Sequence, residues 1–128
     1  MIKSEKNLEI RERMREYVNF YSANVFTVFG KDDVGEHARS AAFTDMLEKI
    51  NADDFNFQEF VEDLESKVGE AEEWVATVRQ SAIANGQAEY FIGAYLVDTP
   101  EYYAARSTMN TYRFVLKRCY NRFSKYLK

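Results

Sequence analysis

Cysteine and histidine serve as nucleophile, base or metal ligand in many active sites, and the 128-residue chain holds one of each, Cys119 and His37. Such a pair can act together when an imidazole takes the thiol proton and frees a thiolate. A structural zinc site needs about four Cys or His ligands, which one chain of this composition cannot supply. A di-iron carboxylate bundle needs two Glu-x-x-His elements, and a single histidine cannot form them. Cys119 falls on the apolar seam of a C-terminal helix, so it reads as a buried, inert thiol. His37 has Glu36 beside it and Asp33 four residues earlier. It could be a general base oriented by a carboxylate, or a surface histidine near a helix start; the second reading is carried forward.

Carboxylates are plentiful, and the pairs Glu62-Asp63 and Glu72-Glu73 could hold Mg²⁺. Their neighbours have the pattern of ordinary amphipathic helix, so a solvated acidic face is expected. Asn51, Asp53 and Glu62 echo a calcium loop, but Phe55 stands where an oxygen ligand belongs and Asn56 where the turn needs glycine. The chain has no G-x-G-x-x-G, no phosphate-binding P-loop and no G-x-S-x-G. No catalytic residue, metal or cofactor is expected, and the protein reads as a non-enzyme.

The elements that would carry a site are mostly helical. One Pro and five Gly leave few chain breaks, while 46% hydrophobic and 16% aromatic residues supply a core. A lone cysteine cannot form an intramolecular disulfide, which points to a reducing, cytoplasmic compartment. The charged N-terminus carries no signal-peptide pattern. The longest apolar run, Tyr90 to Val97, is far short of a membrane span, so no membrane association is expected.

Ile10, Met14, Tyr17, Tyr21, Val25 and Val28 recur at helical steps, predicting a first helix over about 4–29. Its later half, from Phe20, should be the more deeply buried, and Gly30 should cap it. A second helix should start at Asp32-Asp33 and bury Ala38, Ala42, Met46, Leu47 and Ile50. Asn56 with Glu59, flanked by Phe55 and Phe60, forms a capping box with a hydrophobic staple. It predicts a helix from Phe57 that ends or bends at Gly69. A further helix over 70–85 should use Trp74 as a core anchor. Gln87 to Val97 suits a short helix or a strand; helix is preferred, because a lone strand would find no partner elsewhere in the chain. Thr99-Pro100 opens the last helix, which should run nearly to Lys128. The expected fold is all-α: a single domain over residues 1–128, a compact bundle of five or six helices with a long amphipathic C-terminal helix.

That last helix carries the clearest functional signal. Ala105, Met109, Tyr112, Leu116, Cys119, Phe123 and Tyr126 form an unbroken heptad seam. Residues 101–128 hold seven Lys and Arg against one Glu, whereas residues 1–100 hold ten against twenty acids. On a helical wheel Arg106, Arg113, Lys117, Arg118 and Lys125 fall on the flanks and back, with Tyr103 and Phe114 among them. This surface could be a solvated face packed against the acidic body. It could bind protein, since aromatics and Arg dominate interface hot spots. It could also bind RNA or single-stranded DNA, by phosphate neutralisation and base stacking. The net charge of −4 and pI near 5.1 argue against the last. Binding to a macromolecular partner or self-assembly through Tyr103, Arg106, Arg113, Phe114, Lys117, Arg118 and Lys125 is therefore expected. A nucleic-acid-binding small subunit is the alternative.

Overall fold

The computed structural model describes residues 2–29 and 34–127, with side chains over 5–23 and 34–127. In chain order the elements are α1 (Ile2–Phe29), α2 (Val34–Ile50), α3 (Phe57–Ala84), β1 (Ala88–Phe91), β2 (Ala94–Val97) and α4 (Pro100–Arg122), followed by one 3₁₀ turn (Ser124–Tyr126). The fold is mostly helical, with four α-helices and a two-stranded sheet among the described residues instead of five or six helices. The expected caps at Gly30 and at Asp32-Asp33 lie outside the described residues, as do the side chains of Val25 and Val28.

The helices meet on one core. Ile10, Met14 and Val18 of α1 face Ala42, Phe43, Met46 and Ile50 of α2, with Phe57, Phe60, Val61, Leu64 and Val68 of α3 and Tyr112, Val115 and Cys119 of α4. α4 packs against both α2 and α3, and α1 lies mainly on α2. Arg11 of α1 donates from Nε to the Ile50 carbonyl at 2.8 Å and from its terminal nitrogen to the Ala52 carbonyl at 2.9 Å. A cation placed there meets the negative end of α2 and satisfies the Ile50 carbonyl, which the helix end leaves without an intrahelical partner. The later half of α1 departs from expectation at Phe20, which is 63% exposed.

The start of α3 follows the sequence signal. Asn56 Oδ1 accepts from the Glu59 amide at 3.0 Å, and the Phe55 and Phe60 rings stand 5.7 Å apart. The helix then runs through Gly69 without a break, so the two helices expected over 57–85 are one of 28 residues. Glycine lowers helix stability but does not forbid the helical conformation, and the rest of α3 keeps its hydrogen-bond ladder intact. Trp74 is exposed, its indole Nε1 donating to Glu101 at 3.4 Å, instead of anchoring the core.

Residues 88–97 form an antiparallel hairpin, not a helix. Ala88 pairs with Val97, Glu89 with Leu96, Tyr90 with Tyr95 and Phe91 with Ala94. The strand expected to lack a partner finds it within its own segment, folded back on itself. Ile92 (φ 46°) and Gly93 (φ 81°) make the turn, both left-handed, which matches the two-residue turn whose twist suits a hairpin.

α4 opens as expected, with Thr99 Oγ1 accepting from the Tyr102 amide at 3.2 Å and Pro100 in the first turn. Ala105, Tyr112 and Cys119 of the heptad seam are buried, and Thr111 and Val115 widen the buried stripe. The helix stops at Arg122, earlier than expected. Between the helices, the Tyr112 hydroxyl donates to Asp45 at 2.7 Å, and Lys49 bridges Asp45 and Asp63, so α2, α3 and α4 share one polar link.

Candidate functional site

Cys119 is completely buried, and burial pushes its thiol up to about 12. A protonated thiol closed off from solvent is neither nucleophile nor ligand. His37 is exposed on α2. Three of the four paired acids are engaged: Asp63 with Lys49, Glu72 with Arg113, and Glu62 with Gln58. Among the described residues no cluster of three or more His, Cys, Asp or Glu is disposed to hold a metal ion, and no helix is long and apolar enough to cross a membrane.

Of the seven residues singled out, six are spread along α4 and Lys125 lies in the 3₁₀ turn that follows it. Tyr103 and Arg106 lie near the start of α4. The Tyr103 hydroxyl donates to Asp98 at 2.6 Å, and the Arg106 guanidinium lies 5.8 Å from the Tyr102 ring. Phe114 and Arg118, one turn apart, both meet α1, although Phe114 stays 40% exposed. The Phe114 ring is 6.2 Å from Tyr17 and 5.0 Å from Tyr21, and Arg118 covers both Tyr17 and Phe114 at about 6 Å while donating to the Tyr17 hydroxyl at 3.3 Å. Arg113 pairs with Glu72 of α3 at 2.6 Å. Lys117 is exposed, and Lys125 lies over Tyr126 at 5.2 Å. Tyr103 and Arg118 are 15 residues apart, roughly 22 Å along a helix.

Each end of α4 borders an open groove. One, of about 670 Å³ between α1 and α4, is lined by Arg13, Arg118 and Arg122 with Tyr17, Phe20 and Tyr21. The other, of about 720 Å³, lies where the end of α3, the hairpin and the start of α4 meet. Arg79, Glu89, Asp98 and Arg106 surround Tyr95 and Tyr103 there.

The hairpin beside this second groove was not legible as a site. Its side chains alternate, so Glu89, Phe91, Ala94 and Leu96 share one face, and Ala88, Tyr90, Tyr95 and Val97 the other. Only Val97 is buried. Tyr90 is 63% exposed, Phe91 57%, Ile92 84% and Leu96 53%. With about 150–250 Å² for each large side chain, these four together with Tyr95 and Tyr103 expose roughly 500–850 Å², divided between the two faces of the hairpin, its tip and the start of α4. The available signal was a pair of short runs with strand formers, Tyr90-Phe91 and Tyr95 to Val97, on either side of Ile92-Gly93.

Comparison with protein-family models, with curated proteins and with solved structures gave no match to the chain.

Proposed function

We propose that this protein is a non-enzymatic binding module that docks onto another protein surface through its hairpin and the adjoining start of α4. Ile92 carries the reading. It is a β-branched residue in a left-handed backbone conformation, which costs about 1–2 kcal/mol, and its side chain is 84% exposed. The left-handed conformation serves the turn, but a β-branched side chain is ill suited to it and gains no burial there. A partner that covers Ile92, Phe91, Tyr90 and Leu96 supplies the missing burial, and strain of this kind collects at functional positions. Tyr103 and Arg106 extend the surface with residue types enriched at hot spots.

Capture of partners from extracts of the source cells, with wild type and two variants, tests this. Ile92→Asp should abolish specific capture and Phe114→Ser should leave it intact, with little effect of added salt. Equal capture by wild type and Ile92→Asp would remove the hairpin from the function.

A second reading rests on the α1/α4 groove. Three cations, Arg13, Arg118 and Arg122, against one carboxylate, Glu16, beside the exposed ring of Phe20 combine positive charge for phosphates with a platform for an unpaired base. A labelled single-stranded oligonucleotide should then bind with steep salt dependence, and the double change Arg118→Glu, Arg122→Glu should eliminate binding. Salt-insensitive binding, or none, rejects it.

A further inference from the structure

We propose that the occupant of the hairpin end is a second copy of this chain, joined by a two-fold axis; this rests on the protein-docking reading above. The first support is charge. A two-fold interface places one patch against itself, so the patch must carry both signs in balance. The groove beside the hairpin is bordered by two cations, Arg79 and Arg106, and two carboxylates, Glu89 and Asp98. The molecule elsewhere separates its charges into an acidic body and a basic C-terminal segment. Facing copies can set Arg106 of one against Glu89 of the other, twice over, with no net repulsion.

The second support is area. Phe91 and Leu96 lie on one face of the hairpin and Tyr90 and Tyr95 on the other, so a hairpin inserted reciprocally is covered on both faces; the exposed parts of these four with Ile92 and Tyr103, roughly 500–850 Å², approach the ~800 Å² per partner of a standard interface. The third is shape. The same end of the molecule has a projection, the Phe91-Ile92 tip, and a recess of about 720 Å³. A projection and a recess side by side on one patch allow each copy to fill the other reciprocally, and the closed arrangement stops at two.

Sedimentation equilibrium of the full chain over the micromolar range tests the proposal. Wild type should be a dimer. Ile92→Asp should be monomeric with an unchanged far-ultraviolet circular dichroism spectrum, since the side chain lies at an exposed tip. Arg106→Glu should weaken the dimer at least tenfold, because it opposes Glu89 of the other copy, and Arg106→Glu combined with Glu89→Arg should restore most of the affinity. A wild type that stays monomeric, a dimer untouched by Ile92→Asp, or a double variant no better than the single one overturns the two-fold pairing. A monomeric wild type whose Ile92 is still needed to capture a different protein would leave the docking reading standing and refute only the identity of the occupant.

Discussion

Cys119 lies where α4 meets the core, and its surroundings hold the thiol protonated up to about 12, above its ordinary value of 9.0. A raised value in the folded state means that the unfolded chain ionises first. The stabilising effect is complete below about 9 and is lost progressively as the pH rises toward about 12. Urea denaturation at rising pH should therefore show falling stability, and Cys119→Ala should flatten the fall. The same variant should lose roughly 1–2 kcal/mol at neutral pH through the cavity it leaves. An identical alkaline slope in both proteins would mean that the buried thiol is not its source. Ile92 presents the opposite balance, a residue whose removal should help the fold. Asn enters the left-handed region more readily and leaves no apolar surface in water. Ile92→Asn should thus raise stability by about 1 kcal/mol while weakening partner binding. Thermal unfolding measures the first effect and sedimentation the second; a less stable variant would contradict the assignment of strain to this residue.

At the scale of elements, α3 is long because nothing at Gly69 breaks it. A methyl group added there meets no atom within 4 Å, and the backbone is already helical. Gly69→Ala should stabilise the protein by about 0.5–1 kcal/mol through a less flexible unfolded chain, read as a raised denaturation midpoint. A lowered midpoint would show that the glycine meets a packing need. The hairpin is the element least supported by its own molecule, with Val97 its one buried side chain. Isolated two-stranded hairpins are marginal in water, so this one depends on its attachment to α3 and on whatever covers it. The start of α4 needs no such help, since Thr99 and Pro100 define it locally.

At the scale of the whole molecule, the contrast between an acidic body and a basic C-terminal helix resolves partly into internal partners. Arg113 reaches Glu72, and Arg118 stacks on Tyr17 and Phe114. Both members of the Arg113–Glu72 pair are half exposed, so the pair orients α4 on α3 more than it stabilises the fold. What the sequence determined by itself was local. The Asn56 cap, the Phe55/Phe60 staple, the Thr99-Pro100 start and the burial of Ala105, Tyr112 and Cys119 depend on residues within a few turns of one another, where spacing sets the geometry. The tertiary structure decided three other matters. Gly69 could bend a helix or pass through one, and only the surrounding packing selects. Phe114 lies on the outer side of a wheel of α4 and is 40% exposed, but a wheel cannot include α1, whose Tyr17 and Tyr21 meet that ring. The run from Gln87 to Val97 had equal local licence for helix and strand. It became a hairpin because the left-handed pair Ile92-Gly93 lets the segment satisfy its backbone hydrogen bonds against itself, leaving its apolar side chains outward for want of a second layer.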